Sequence, residues 1–208
     1  MAEFTFEKAT RRGVKLRVAL IGPSGSGKTM SAMRLAKGIG GLVALIDTEN
    51  RRARHYSDVL DFDTLDLGPP FSPERYVAAM AASAEAGHEV LIVDSSSHEW
   101  MGPGGILWDL DHMDGSNNFA KWRLLTPRHM AFIDAMIRHP AHLIVTMRGK
   151  DMYVLDEKNR PEKIGMGPQQ REGLEYEFTV AFNIAQSTHI ASASKDNTRL
   201  FQNVYEQL

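Results

Sequence analysis

The segment Gly22–Thr29 constrains this chain most, because its sequence GPSGSGKT fits the pattern G-x-x-x-x-G-K-[ST] without a mismatch. A strand-like apolar stretch, Leu16–Ile21, precedes it, and a helix-like stretch follows it. A strand, a glycine-rich loop and a helix in this order predict a loop whose backbone N–H groups surround phosphates at a helix N-terminus. We therefore predict an NTP-binding protein. The residues predicted to hold the nucleotide are Gly22, Pro23, Ser24, Gly25, Ser26, Gly27, Lys28, Thr29 and Met30.

Two side chains of this loop and one later aspartate predict ATP and Mg²⁺ as the cofactors. The Lys28 ammonium would neutralise the β- and γ-phosphates, and the Thr29 hydroxyl would bind Mg²⁺. The apolar run of Glu89–Asp94 ends in Asp94 at the carboxyl edge of a predicted strand, where ligands of such sheets bind. An aspartate there can hold the hydration shell of Mg²⁺, so we assign Thr29 and Asp94 to the metal.

Hydrolysis also needs a carboxylate that orients and polarises the attacking water. Serines follow Asp94 directly, so the region beside that aspartate offers no adjacent carboxylate. Glu49 lies two residues beyond another apolar run, Leu42–Asp47, and is better placed. We predict Glu49 as the catalytic carboxylate, and Asp47 is the alternative.

Five short apolar runs alternate with helical stretches, which predicts an α/β fold. The sheet is expected to be central and mainly parallel, with helices on both faces. The predicted strands are Leu16–Ile21, Leu42–Asp47, Val90–Asp94, His142–Met147 and Phe178–Ile184. The predicted helices are Thr29–Gly38, Ser72–Ala86 and Pro127–Arg138. Two long segments, Ser95–Arg123 and Gly149–Glu172, are predicted to be loops without regular structure.

Length and composition fit one globular domain, since the chain has 208 residues of which 43% are hydrophobic. We expect an N-terminal arm at 1–13 and an ATPase domain at 14–208. There are no cysteines, no apolar signal core and no membrane-length apolar run, so we expect a cytoplasmic protein. The formal charge of −2 gives no global electrostatic reason for nucleic-acid binding, although a local basic patch is compatible with it.

The succession GPSGSGKT, LVALIDTE and EVLIVDS resembles the ATPase core of RecA-type recombinases. The resemblance implies that Glu49 is the catalytic glutamate and that Asp94 is the Mg²⁺-associated aspartate. It also implies a γ-phosphate sensor at the end of the next strand, where Thr146 and Arg148 are the candidates. The segment Ser194–Arg199 is similar to the finger motif with which one subunit reaches its neighbour's γ-phosphate. Lys195 and Arg199 are the candidates for that role, which requires an oligomer, either a ring or a filament.

Over residues 14–204 the chain is similar to phage-encoded RecA-core ATPases described as AAA-family or single-strand annealing proteins. The segments that carry this likeness are DSSSHEW at Asp94–Trp100 and the stretch Pro161–Phe178. In RecA-type proteins the loops after the third and fourth core strands line the DNA path. The resemblance therefore implies single-stranded DNA as a partner. The DNA-binding candidates are Lys150, Tyr153, Lys158, Arg160, Lys163 and Arg171.

The arm contains Phe6-Glu7-Lys8-Ala9, which matches the F-x-x-A tetrapeptide that eukaryotic recombinases use to dock onto a neighbour. The other interpretation is an edge strand that packs on its own domain. Two functions are therefore considered. The first is an oligomeric ATPase acting on single-stranded DNA in phage-type recombination or annealing. The second is a nucleotide-gated loader or regulator that binds a phage single-strand-binding, recombination or replication protein rather than DNA.

Overall fold

The computed structural model describes residues 5–11, 13–155, 161–201 and 204–207. Its strands are β1 (Arg17–Gly22), β2 (Val43–Asp47), β3 (Asp63–Asp66), β4 (Val90–Asp94), β5 (His142–Leu155), β6 (Pro161–Pro168), β7 (Val180–Ile184), β8 (Ile190–Asp196) and β9 (Tyr205–Gln207). Its α-helices are α1 (Lys28–Ile39), α2 (Pro73–Glu85), α3 (Ser97–Met101), α4 (Ile106–His112) and α5 (Asn118–Arg138). Short 3₁₀ helices cover Arg52–Tyr56 and Leu174–Glu177.

Eight strands form one sheet in the order β3-β2-β4-β5-β1-β7-β8-β9, and β6 pairs with the far half of β5. The strands from β3 to β7 in this order are parallel to one another, whereas β8 and β9 run antiparallel. All six parallel strands therefore point to one edge of the sheet, and the polar residues at their ends meet there.

The central strands are buried on both sides because their side chains alternate between two apolar layers. On one face, Ala19 and Ile21 of β1 pack with residues of α2 and α5, including Met80 and Phe132. On the other face, Val18 and Leu20 pack with α1 residues such as Met33. The predicted α/β fold, with a mainly parallel sheet and helices on both faces, is confirmed.

The five predicted strands are all present, with ends that differ by up to two residues except in one case. That exception is β5, which continues eight residues past Met147. The extension pairs antiparallel with β6, from Gly149↔Pro168 to Leu155↔Pro161. The prediction of an irregular loop over Gly149–Glu172 was therefore wrong, because most of this segment is a β-hairpin.

The prediction of an irregular loop over Ser95–Arg123 was also wrong, because this segment contains α3, α4 and the first turns of α5. The predicted helix start at Pro127 was nine residues late. α5 begins at Asn118, where the Asn117 side chain accepts a hydrogen bond from the Ala120 N–H (3.3 Å). Pro127 lies inside the helix, so its fixed φ is accommodated and its missing N–H leaves one helical hydrogen bond unmade.

None of the helices in the described residues is both long enough and apolar enough to cross a membrane.

Candidate nucleotide site

The loop between β1 and α1 is shaped by glycines at positions where a side chain is excluded. Gly27 has a φ of 93°, in the left-handed region, directly before α1. A Cβ on Gly22 would lie 2.5 Å from Ser26 Oγ and 2.8 Å from the Ile184 carbonyl oxygen. The loop therefore turns tightly against the end of β7, and the first N–H groups of α1 are open at its mouth.

A cavity of about 560 Å³ opens at this edge of the sheet. Most of the predicted phosphate-binding residues line it: Pro23, Ser24, Gly25, Gly27, Lys28 and Thr29. Gly22, Ser26 and Met30 belong to the same segment but do not line the cavity. Ser26 is fully buried and Gly22 is part of β1, so these two residues shape the loop from beneath.

The Lys28 ammonium lies at the centre of the loop and donates to the carbonyl oxygens of Gly22 (2.8 Å) and Pro23 (2.7 Å). Burial lowers the pKa of Lys28, although the negative charges of Asp94 and Glu49 oppose this shift. A cation held between loop carbonyls and two carboxylates is placed to meet a polyphosphate that enters the cavity.

The two predicted magnesium ligands are brought together by α1 and β4. Thr29 Oγ1 donates to Asp94 Oδ2 at 2.7 Å, and Thr146 Oγ1 donates to Asp94 Oδ1 at 2.5 Å. Asp94 is only 5% exposed, and its burial raises its pKa. The hydroxyl and the carboxylate are hard oxygen donors of the kind that Mg²⁺ prefers. Among the described residues, no group of three or more aspartate, glutamate or histidine side chains is arranged to hold a metal ion, so Mg²⁺ would take its remaining ligands from phosphates and water.

Of the two carboxylates at the end of β2 and just after it, Asp47 and Glu49, only Glu49 lines the cavity. Asp47 is 2% exposed, and its oxygens accept hydrogen bonds from the N–H groups of Glu49 (2.7 Å) and Ala53 (3.0 Å). Asp47 therefore holds the turn that presents Glu49, and its position does not suit it to activate water. The competing assignment of Asp47 is not supported by this geometry.

Glu49 forms an ion pair with Arg148, whose Nη2 lies 2.7 Å from Glu49 Oε1. Arg52 lies farther away, at 3.6 Å from the other oxygen. Burial acts to raise the pKa of Glu49, but the hydrogen bond and the charge of Arg148 outweigh it, so the pKa is lowered. Arg148 lines the cavity, whereas Thr146 is fully buried beneath Asp94. Of the two sensor candidates, Arg148 is the one that can reach a bound nucleotide.

Five residues that line the cavity were not predicted from the sequence: Arg52, Tyr56, Ser95, Gly149 and Gln169. Arg52 and Tyr56 belong to the 3₁₀ helix after Glu49, and Tyr56 gives the cavity an aromatic wall. Gln169 follows β6, and its N–H donates to the Arg148 carbonyl oxygen at 2.6 Å. A hairpin predicted over this segment would have indicated Gln169, because the two ends of a β-hairpin lie side by side.

The next residue, Gln170, fixes the hairpin to the core. Its Nε2 donates to the Ser96 carbonyl oxygen (3.1 Å) and to Glu99 Oε2 (3.2 Å). Glu99 Oε1 lies 3.0 Å from His129 Nδ1, and both side chains are fully buried. This polar network connects the hairpin, α3 and α5 beside Ser96, two residues after Asp94.

The DNA-binding candidates are distributed along the hairpin. Lys150 is exposed at its start, Tyr153 and Lys163 are paired in register across it, and Arg171 follows it. Lys158 and Arg160 lie outside the described residues. The finger candidates are elsewhere: Lys195 and Arg199 lie at the end of β8 and in the turn that follows.

Together, the sheet order and this loop define a RecA-like P-loop fold. Residues 14–204 match the AAA domain family, and the chain belongs to that family. Its fold is similar to the crystal structure of the RadB recombinase, with a TM-score of 0.52 and 15% sequence identity. That alignment covers 89% of this chain and 83% of the recombinase chain. No curated protein matches the sequence.

Proposed function

We propose that this chain is a Mg²⁺-dependent ATPase that acts as an oligomer on single-stranded DNA, in recombination or annealing of the phage type. The observation that carries the proposal is the convergence of Lys28, Thr29–Asp94 and Glu49–Arg148 on one cavity. A phosphate-binding loop alone fits many nucleotide-binding proteins. A buried Mg²⁺ aspartate and a separate cavity-lining glutamate are what hydrolysis requires in addition.

In this mechanism, Lys28 and the loop N–H groups bind the β- and γ-phosphates. Mg²⁺, when bound, neutralises charge that develops on the phosphate oxygens. Thr29 and Asp94 would hold the ion, and Thr146 fixes the Asp94 carboxylate through its hydrogen bond. Glu49 accepts a hydrogen bond from the attacking water and takes its proton as the water oxygen bonds to the γ-phosphorus, while the bond from that phosphorus to the bridging oxygen of the β-phosphate breaks and ADP leaves. Arg148 moves from Glu49 to the γ-phosphate, and Tyr56 offers its ring to the base.

The hairpin β5–β6 is the proposed DNA contact. Both of its ends reach the nucleotide cavity, through Arg148 and Gln169. A strand bound along the hairpin would therefore be coupled to the γ-phosphate position through these two residues. Lysine and arginine side chains would meet phosphates, and Tyr153 would stack on a base.

Oligomerisation is proposed through the N-terminal arm. Phe6 is fully exposed, and residues 5–10 have no regular structure. At the far edge of the sheet, β3 lies beside an apolar hollow of about 140 Å³ that includes Leu65 and Ala79. The buried Thr64 hydroxyl at this edge lacks a hydrogen-bond partner within the described residues. An arm from a second copy could add a strand to β3 and place Phe6 in the hollow.

The test is ATP hydrolysis by the purified protein with and without single-stranded DNA, at low and at moderate salt, with Lys28→Ala as the inactive control. We expect DNA to stimulate turnover and DNA affinity to fall steeply with salt. The net charge of −2 favours the second candidate, a nucleotide-gated loader or regulator of a replication or recombination protein. Unstimulated turnover without salt-sensitive DNA binding would support that candidate and contradict the DNA-dependent one.

A further inference from the structure

Two consecutive side chains of α3 contact the nucleotide site from behind. Ser97 Oγ accepts a hydrogen bond from the Arg148 N–H at 2.9 Å. His98 Nδ1 lies 2.8 Å from Oγ1 of Thr48, the residue directly before Glu49. Neither Ser97 nor His98 lines the cavity, so any effect that they have on a bound nucleotide passes through the residues that they contact.

The Thr48 hydroxyl is the centre of a small buried network. Thr48 is 6% exposed, and its N–H donates to the Asp94 carbonyl oxygen at 2.8 Å. Its Oγ1 accepts from the Ser95 N–H (2.8 Å) and lies 3.2 Å from the Ser95 carbonyl oxygen. A hydroxyl has one hydrogen and two lone pairs, so it can bond Ser95 and His98 together with either tautomer of the imidazole. Because Thr48 precedes Glu49, these bonds fix the start of the turn that carries Glu49.

The His98 ring is itself held in place by an aromatic neighbour. It stacks on the ring of Phe71, with ring centroids 4.7 Å apart and an angle of 22° between the planes. The Phe71 N–H donates to the Pro103 carbonyl oxygen at 2.8 Å. Gly102 permits this packing, because a Cβ at that position would lie 2.7 Å from the Phe71 ring. The imidazole therefore has little freedom to turn away from Thr48.

The contact acts through a hydrogen bond and not through charge. Burial lowers the pKa of His98, and the charge of Arg148 lowers it further, while the charge of Glu49 acts in the opposite direction. The net shift is downward from an ordinary value of 6.5, so the imidazole is neutral at pH 7. A neutral ring gives Glu49 no added positive charge, and its influence on that carboxylate passes through Thr48.

We propose that His98 is a positioning residue for ATP hydrolysis: its Nδ1 holds the Thr48 hydroxyl, and Thr48 holds the backbone that presents Glu49 to the attacking water. This inference rests on the proposed ATPase and adds a residue to it. Asp47 anchors the later part of the same turn through the N–H groups of Glu49 and Ala53. His98 anchors its start, so two residues outside the cavity define where the Glu49 carboxylate lies.

The test measures kcat for ATP and, separately, nucleotide affinity by titration calorimetry. His98→Phe keeps an aromatic ring against Phe71 but has no nitrogen, whereas His98→Asn lacks the ring but returns a polar atom near the position of Nδ1. A misplacement of about 1 Å can cost about a hundredfold in rate, so we expect His98→Phe to lower kcat by roughly 10- to 100-fold at unchanged affinity. His98→Asn should recover most of this loss. Wild-type kcat in His98→Phe, or a lower kcat in His98→Asn than in His98→Phe, would overturn the inference.

A double-mutant cycle tests whether His98 acts through Thr48. Thr48→Val removes the hydroxyl and keeps a side chain of similar shape. We expect the double variant of His98→Phe and Thr48→Val to turn over no more slowly than Thr48→Val alone, because both changes remove the same contact. Losses that multiply would show that His98 acts by another route. The control is His112→Ala, which removes an exposed histidine at the end of α4 and should keep the wild-type kcat.

A measurement without turnover separates this inference from the proposed function. The nitrogen NMR shift of His98 Nδ1 responds to its hydrogen bond, so Thr48→Val should change it and His112→Ala should not. If the wild-type protein hydrolyses ATP and His98→Phe keeps its kcat, the positioning role fails alone. If the wild-type protein shows no turnover with or without DNA, the proposed function fails and the positioning role fails with it, even where the NMR shift confirms the contact.

Discussion

At the scale of single residues, the site depends on which of two neighbouring carboxylates is free to act. Asp47 is occupied by backbone N–H groups, and Glu49 faces the cavity. We predict that Glu49→Gln lowers kcat for ATP by about a hundredfold or more, because the amide cannot accept the proton of the attacking water. Nucleotide affinity, measured by titration calorimetry, should change little.

The control for this prediction is Glu85→Gln, which changes an exposed glutamate near the end of α2. Its turnover should equal that of the wild-type protein. A Glu49→Gln protein that hydrolyses ATP at the wild-type rate would remove Glu49 from the mechanism.

The ion pair between Glu49 and Arg148 predicts a pH dependence. Burial alone would raise the pKa of Glu49, and Arg148 overcomes this effect to place it below the ordinary value of 4.5. The pair therefore stabilises the fold above that value, and the contribution is lost as pH falls through the lowered pKa. In Arg148→Gln the burial effect is unopposed by the guanidinium, so the acid limb of the kcat/KM profile should move to higher pH.

Arg52→Gln is the matched control, because Arg52 is 3.6 Å from Glu49 rather than 2.7 Å. Its acid limb should move less than that of Arg148→Gln. Equal profiles for the wild-type protein and Arg148→Gln would show that Glu49 is not the group that limits the rate in acid.

At the scale of elements, Pro127 is the clearest conflict between local sequence and observed structure. It lies ten residues into α5 on an exposed position, and the carbonyl oxygen of Arg123 lacks its usual helical donor. Pro127→Ala supplies that N–H, while the unfolded chain gains entropy worth about 0.4–1 kcal/mol. We expect a net stabilisation of about 1–2 kcal/mol and a rise in Tm of roughly 2–8 °C, measured by calorimetry.

Arg123→Ala, on the same exposed face, is the control and should leave Tm within about 1 °C. A lower Tm for Pro127→Ala would mean that the proline bends α5 into a path that its packing requires.

Which strands could be predicted from the sequence depends on whether both of their faces are covered. The interior strands were predictable because both of their faces are covered, so they read as unbroken apolar runs such as Leu91–Val93. β3 has the sequence DTLD and lies at an edge, where its side chains need not be apolar, so nothing marked it as a strand. The long hairpin was also missed, because β6 pairs only with the far half of β5 and lies outside the row of parallel strands whose apolar runs were recognisable.

The site shows the same division. Residues fixed by short-range motifs, from Gly22 to Thr29 and at Asp94, could be read directly from the sequence. Gln169 could not, because 20 residues separate it from Arg148 and only the β5–β6 pairing brings the two backbones together. The choice between Thr146 and Arg148 also required the fold, since burial decides which side chain meets the cavity.

At the scale of the whole molecule, the surfaces predicted to take part in assembly lie far apart on one sheet. The arm is proposed to pair with the edge strand β3, whereas the predicted finger residues Lys195 and Arg199 lie at the end of β8 and in the turn that follows it. Such a separation suits a head-to-tail assembly, in which each subunit uses two different surfaces. If the predicted finger acts in this way, turnover should depend on protein concentration, because a single subunit would lack the cation of its neighbour.

Phe6→Ala tests the arm contact. Burying an aromatic side chain contributes about 1.5–3 kcal/mol, so its loss should weaken association by roughly 10- to 150-fold. Analytical ultracentrifugation should show the midpoint of assembly moving to higher concentration, and the midpoint of ATP turnover should move with it. The control is Glu7→Ala, which changes the adjacent exposed residue and should leave both midpoints in place.

The surface that receives the arm is tested by Leu65→Ala, which is expected to weaken assembly through the same contact. The double variant of Phe6→Ala and Leu65→Ala should therefore assemble no more weakly than Phe6→Ala alone. Additive effects would place Phe6 against a different surface, and unchanged assembly in Phe6→Ala would show that the arm takes no part in it.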